Sequence, residues 1–470
     1  MSLDLLITLD RTRPSLRAQI EEQLREAVRD ERLMPGTSLP SSRSLAGELG
    51  VSRGVVVEAY SQLAAEGYLV SRPGGSTRVA QAASPPATAA TAPAAERPPR
   101  FDFRPGRPDV SLFPRGAWLA ALRRALRDAP DARLDYGDPR GAPELRRALS
   151  AYLGRVRGAA CDPERVIVTS GMAQGLAIFG RVLVERGSRR IGFEEPGSGP
   201  ARVQLASTGL ETVPVPVDEQ GLRAELLETR SSPPLDAVVV TPAHQFPTGV
   251  VLSPARRAAL IEWAAAGRRL VLEDDYDAEY RYDRAPVGAV QGLAPGRVLY
   301  AGSVSKMLAP GLRLGWMVAP EDIAADLVAA KERDDLGTPV VEQLALADFL
   351  ERGELDRHLR RTRAVYRRRR DRLVAALARH LPGCEPAGIA AGLHLVVRLP
   401  PGTREDTVLE AARARGLGLY GLGEHSVGET APALLLGYGR IAEPAIERGV
   451  EELAAGYAAA GRARRRGGSN

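Results

Sequence analysis

The chain has 470 residues, 44% of them hydrophobic, which is too long for one ordinary domain and apolar enough for sizeable cores. No run approaches the roughly 18 apolar residues of a membrane span, and the start, MSLDLLITLD, is acidic where a secretory leader would be basic. Two distant cysteines, Cys161 and Cys384, form neither a disulfide framework nor a zinc site, so a reducing, cytoplasmic location is expected; net charge +6 and a pI near 9.5 permit nucleic-acid contact without establishing it.

Along residues 15–29, Leu16, Ile20, Leu24 and Val28 recur four apart, which predicts an amphipathic helix that Pro35-Gly36 terminates. Residues 41–67 read as helix, tight turn, helix. Leu45, Ala46 and Leu49 mark the first helix, and Val55, Val56, Ala59, Tyr60 and Leu63 the second. Gly50 suits a left-handed turn position, Ser52 can cap the second helix, and Arg53 then sits at the end that enters a major groove. Two short strands around a Gly-rich turn follow in YLVSRPGGSTRV, with Arg72 and Arg78 placed to meet phosphates. Helix-turn-helix spacing alone has many false positives. Here LPSSRSLAGELGVSRGVVVEAYSQLAAEGYLVSRPGGSTRVA resembles the GntR-type winged helix over almost its whole length. That resemblance implies operator contacts from Arg43, Ser52, Arg53 and wing residues near Gly75.

Residues 81–100, QAASPPATAATAPAAERPPR, have no apolar periodicity and read as a linker. They divide the chain into a DNA-binding domain at 1–80 and a large domain at 101–460, followed by a basic tail at 461–470. Arg462, Arg464, Arg465 and Arg466 of that tail are expected to be solvated and disordered. In the large domain helical patterns alternate with apolar runs at 166–168, 237–240 and 270–272, the signature of a mostly parallel α/β sheet.

Three segments of that domain carry chemistry. After the first run comes a small-residue turn, TSGMAQ, whose N–H groups at a helix start can cradle an anion; such turns are common. The run at 270–272 leads into Glu273-Asp274-Asp275-Tyr276-Asp277, which places carboxylates at a strand's C-terminal end. The third is SVSKMLAPGLRLGW, following an apolar strand at 297–300. Of 64 lysine and arginine residues only Lys306 and Lys331 are lysine, so an isolated lysine in this loop calls for a chemical reason. A deprotonated amine can attack an aldehyde, and a guanidinium cannot. Ser303 and Arg313 offer a hydrogen bond and a charge-assisted contact to a phosphate.

In order and spacing these pieces are similar to the fold-type I, aspartate-aminotransferase-like architecture, whose cofactor is pyridoxal 5'-phosphate (PLP). The resemblance implies Lys306 as the Schiff-base lysine, Asp274 at the ring nitrogen and Tyr276 at the ring's phenolic oxygen. It puts Ser170, Gly171, Met172, Ser303 and Arg313 around the phosphate, and Tyr136 at the phosphate of a partner subunit. A winged helix-turn-helix joined by a linker to such a domain is the layout of the MocR subfamily of GntR regulators, and His244-Gln245-Phe246-Pro247-Thr248-Gly249 fits that subfamily's loop. A head-to-tail homodimer on double-stranded operator DNA is implied, with no metal site. Ser198 stands where relatives usually carry an aromatic residue beside the cofactor. Leu435 stands where aminotransferases carry the arginine that grips a substrate carboxylate, with Arg440 nearby in sequence.

These features lead to a PLP-dependent transcriptional regulator that senses PLP, or an amine or amino-acid ligand, through an aldimine at Lys306. Losing the carboxylate clamp removes both binding and positioning, leaving at most a residual half-reaction. The alternatives are an active aminotransferase with an accessory DNA-binding domain, and a vestigial dimerisation scaffold that binds no cofactor.

Overall fold

A computed structural model of the protein describes residues 7–71, 76–81, 98–229, 234–283 and 287–467, with side chains described to residue 461. Arg72 and Gly75 of the expected wing, and residues 82–97 of the expected linker, lie outside the described residues. By internal contacts the chain divides into two compact units, Met1–Arg97 and Pro98–Asn470.

The first unit packs helices Leu16–Arg29, Ser42–Leu49 and Arg53–Ala65 against a strand pair, Leu69–Val70 with Arg78–Val79. Ile20, Leu24, Val28, Leu45, Val56, Ala59 and Leu63 share one core, so the apolar spacing buries the expected faces. Ser41 caps the second helix by accepting from Ser44 N, and Gly50 ends it at φ 61°, the left-handed conformation in which a Cβ is costly. Ser52 occupies the cap position of the third helix but makes no capping hydrogen bond, contrary to the expectation. In the strand pair Leu69 and Val79 are buried while Val70 and Arg78 face outward.

In the second unit eight strands form one sheet in the order Val166–Thr169, Gly315–Val318, Val298–Ser303, Leu270–Asp275, Ala237–Val240, Arg190–Glu195, Glu211–Asp218, Gly221–Leu222. Gly315–Val318 and Gly221–Leu222 run antiparallel to their neighbours, and the remaining pairings are parallel. Helices such as Met172–Glu185 and Pro254–Ala266 pack apolar faces on it, which is why strands such as Ala237–Val240 are continuously apolar and buried. A smaller antiparallel sheet joins Glu385–Ala387, His394–Arg398, Ala433–Gly437 and Tyr420–Gly421. The last helix, Ala445–Gly467, runs past residue 460 into the segment expected to be a disordered tail. Alanine and arginine there are strong helix formers, and no proline stops them.

Among the described residues no helix is long and apolar enough to cross a membrane.

Candidate functional site

Parallel strands in an open α/β sheet gather their C-terminal ends on one edge, where a crevice forms. Here that edge borders a cavity of about 380 Å³ lined by Met172, Asp274, Tyr276, Ser303, Lys306 and Arg313, six of the nine positions expected to hold a cofactor. Lys306 Nζ donates to the carbonyl of Gly106 at 2.6 Å. Arg313 adopts a left-handed backbone at φ 50°, unusual for a side chain with a Cβ, and its Nη2 donates to Ser170 O at 2.7 Å. Its guanidinium lies over Gly171, where a Cβ would stand 2.8 Å from Nη2 on a backbone at φ +92°. Ser170 and Gly171 thus form the turn beneath Arg313 and lead into the helix that begins at Met172. Ser170 N donates to Gln174 Oε1 at 2.7 Å, so that particular N–H is already engaged.

Strand alternation separates two adjacent acids. Asp275 accepts from Arg157 Nε and from Tyr300 Oη, each at 2.6 Å, deep in the core. Asp274 lines the cavity instead, and its Oδ1 has no hydrogen-bond partner among the described residues. Burial first, and then the charge of Asp275, push the Asp274 carboxyl up to about 7 against the pull of Lys306. Burial lowers the Lys306 amine, opposed by Asp277 and Asp274, which moves it toward the neutral, nucleophilic form.

The raised carboxyl has a consequence for the protein without ligand. Between its ordinary value of 3.8 and about 7 the folded chain holds a proton that the unfolded chain has released. That stabilisation is complete below the lower value and is lost as pH rises through the higher one, with a ceiling of about 4 kcal/mol. Asp274→Asn keeps the shape and does not titrate, so its melting temperature should fall less than the native value between about pH 5 and 8. Glu194, Glu273 and Glu279 are likewise raised to about 7, so the loss is reduced and not abolished. Parallel curves for the two proteins would contradict a buried, uncompensated Asp274.

Other expected positions lie elsewhere. Tyr136 is 85% exposed and does not line this cavity within its own chain. Ser198 does line it and caps helix Gly199–Ala206 by accepting from Ala201 N at 3.4 Å. Leu435 is 0% exposed, in an apolar cluster with Val396 and Ala433 in the smaller sheet. Arg440 Nη1 pairs with Asp102 at 3.5 Å, and Arg440 does not line the cavity. Among the described residues Arg313 is the only arginine lining the cavity.

Gly106 and Glu194 are absent from the sequence reading, and His244 and Asp277 appear there without their pairing. Glu194 accepts from Thr241 Oγ1 at 2.5 Å and Gln245 Nε2 at 3.1 Å, tying the loop that carries Phe246 to the sheet. The one local signal for it is a pair of acids ending the apolar run in IGFEEP.

In the first unit Arg43 lies in the opening turn of helix Ser42–Leu49, and Ser52 and Arg53 begin helix Arg53–Ala65, all three exposed. Arg53 Nε donates to Ser42 Oγ at 3.3 Å, and Arg78 Nη1 to Gly36 O at 3.1 Å. These bonds join the starts of the two helices and hold one wing arginine to the loop before them.

The cavity residues fit PLP: a carboxylate with an unpartnered Oδ1 suits a pyridinium nitrogen, and Ser303 and Arg313 offer a hydroxyl and a guanidinium to a phosphate. Fold and site together define an aminotransferase-type domain carried on one chain with a winged helix-turn-helix. Residues 110–418 match the family aminotransferase class I and II, and residues 16–79 match bacterial regulatory proteins of the gntR family. The pyridoxine biosynthesis transcriptional regulator PdxR of Corynebacterium glutamicum is 36% identical over 451 residues, 93% of this chain and 95% of its own. The probable rhizopine catabolism regulatory protein MocR of Rhizobium meliloti is 34% identical over 480 residues, 97% of this chain and 96% of its own. Among solved structures, the multiple substrate aminotransferase of Thermococcus profundus superposes with a TM-score of 0.72 at 28% identity, covering 78% of this chain and 93% of that one. The chain belongs to the MocR subfamily of GntR-type transcriptional regulators. It is a DNA-binding regulator rather than an enzyme, and its large domain has the fold of PLP-dependent aminotransferases.

Proposed function

We propose that PLP binds the large domain at Lys306 and is the signal that sets operator affinity. One observation carries this reading: an isolated lysine, the guanidinium of Arg313 and the carboxylate of Asp274, whose buried Oδ1 has no partner among the described residues, line one cavity. When bound, PLP supplies an aldehyde that a lysine amine can capture and a ring that draws electrons when its nitrogen is protonated. Lys306 provides the amine, Asp274 holds a proton at the ring nitrogen, and Tyr276 meets the phenolic oxygen. Ser303, Arg313 and the turn Ser170-Gly171-Met172 hold the phosphate, with Tyr136 contributed by the partner in a head-to-tail homodimer.

The apolar environment of Leu435 and the pairing of Arg440 with Asp102 argue against turnover of ordinary amino acids. An amine or amino-acid ligand that exchanges with Lys306 remains compatible with the cavity, whose other wall includes Leu176, Phe193, Val239 and Phe246. By analogy with the names of PdxR and MocR, the regulated genes belong to vitamin B6 supply or to amine metabolism.

Operator titrations with and without PLP test the proposal. A ligand shifts a two-state regulator only through different affinities for the two states, so the operator affinity must change, typically by about 5-fold to 150-fold. Identical operator isotherms would overturn it.

The phosphate assignment has its own test. Gly171→Ala would push a Cβ into the Arg313 guanidinium and strain a turn that needs positive φ. The variant is expected to lose about 1–2 kcal/mol of stability and about tenfold or more in PLP affinity, read by thermal unfolding and absorbance titration. Native PLP affinity in the variant would remove the turn from the phosphate site.

A further inference from the structure

We infer that His244 and Asp277 are positioning residues that turn the hydroxyl proton of Tyr276 toward the cavity, where it is donated to the phenolic oxygen of bound PLP. The inference rests on PLP occupying the cavity as proposed above. His244 Nδ1 lies 3.1 and 3.2 Å from the two carboxylate oxygens of Asp277 and 3.0 Å from Tyr276 Oη. A neutral ring nitrogen carries either a proton or a lone pair. A bare Nδ1 would set its lone pair against both oxygens of Asp277, and with side chains only 3% and 2% exposed no bulk water relieves that repulsion. A protonated Nδ1 donates to Asp277 and leaves the Tyr276 oxygen as its second acceptor. The phenolic proton must then point elsewhere, and Tyr276 lines the cavity beside Lys306 and Asp274.

The surroundings hold this arrangement. His244 is the one hydrogen-bond partner of Tyr276 Oη among the described residues; Asp274, Asp277, Glu194 and Tyr438 also face Tyr276 without bonding its hydroxyl. His394, with its ring centroid 5.3 Å from that of His244, points Nε2 at the carbonyl of Pro247 at 3.0 Å, a bond only an N–H can make. Its proton is thereby fixed away from the pair. Gly392, at φ +67°, passes so close that a Cβ there would press on the His244 ring and stand 2.6 Å from Asp277 Oδ2. Phe246 meets Tyr276 edge-on at 6.0 Å. Phe246 presents no donor to the cavity, so the Tyr276 proton is available to the phenolic oxygen, and His244 fixes its direction.

The test is a pH titration of the visible absorbance of PLP-loaded full-length protein. Donation to the phenolic oxygen favours its ionised form, so losing the donor lets the chromophore keep its proton to higher pH. Tyr276→Phe is expected to raise the midpoint by about one pH unit. His244→Leu should recover most of that shift, whereas His244→Asn, whose amide N–H replaces Nδ1–H, should titrate close to the native protein. A native midpoint in His244→Leu, alongside a shifted one in Tyr276→Phe, overturns the inference and leaves PLP binding intact. No visible band in the native protein overturns PLP binding and the inference with it. If His244→Leu does not fold, nitrogen NMR of histidine-labelled native protein decides. A proton on His244 Nδ1 supports the inference, and a proton on Nε2 with Nδ1 bare overturns it.

Discussion

Lys306→Ala is expected to abolish the visible absorbance of protein incubated with PLP and, with it, the dependence of operator affinity on PLP. Among the described residues lining the cavity, this amine is the only group able to form an imine with an aldehyde, because the guanidinium of Arg313 stays protonated. Ring and phosphate contacts survive the change, and a charge-assisted hydrogen bond contributes about 1.5–3 kcal/mol, so the variant still admits PLP weakly. The fold should be unaffected: Lys306 makes one hydrogen bond, to the carbonyl of Gly106, and truncation removes a desolvated amine. Melting of the ligand-free variant is expected within about 3 °C of native. A retained band would move the reactive amine elsewhere, and Lys331, the other lysine, is buried and bound to Asp335 at 2.5 Å.

The second large effect belongs to the DNA-binding unit. Arg43→Ala combined with Arg53→Ala is expected to weaken operator binding by about 100-fold, if one guanidinium reads a base edge and the other a phosphate. Each lost phosphate contact also makes the dependence of log affinity on log salt shallower by about 0.9. Both side chains are exposed and outside the core of Ile20, Leu45 and Val56, and the one bond lost, Arg53 to Ser42, is exposed, so stability should fall by no more than about 1 kcal/mol. Fluorescence anisotropy across a salt series reads both quantities. Affinity within threefold of native at every salt concentration would place the interface elsewhere.

Much of this was legible in the sequence because it depends on neighbours along the chain. The period of Leu16, Ile20, Leu24 and Val28 reports a face, and Gly50 reports a left-handed turn. Lys306 was conspicuous because arginine replaces lysine almost everywhere else; the acids after the run at 270–272 were visible as a group, and the family resemblance singled out Asp274 among them. What was hidden arises from closure in space. Gly106 meets Lys306 across 200 positions, and His244 meets Asp277 across 33. Strand Gly315–Val318 inserts antiparallel between Val166–Thr169 and Val298–Ser303, and nothing local to those segments encodes that order. Ser52 shows the opposite error: its residue type suits a cap, but the side chain makes no capping bond.

The departures at Ser198 and Leu435 also gain a physical meaning. Ser198 serves the backbone of helix Gly199–Ala206, and Leu435 is core of the smaller sheet. Leu435 does not line the cavity, and Ser198, which does, accepts a hydrogen bond from Ala201 N. Six of the nine positions expected to hold a cofactor line the cavity while an arginine at position 435 is missing, a combination that suits reading a cofactor better than turning over a substrate.

That account stands or falls on coupling between two sites. If PLP changes operator affinity by some factor, operator DNA must change PLP affinity by the same factor, because the two binding steps close one thermodynamic cycle. The decisive measurement is the PLP affinity of the full-length protein with and without saturating operator, read from the visible absorbance. The account predicts a change equal to that found in the operator titrations; a PLP affinity indifferent to operator would contradict it.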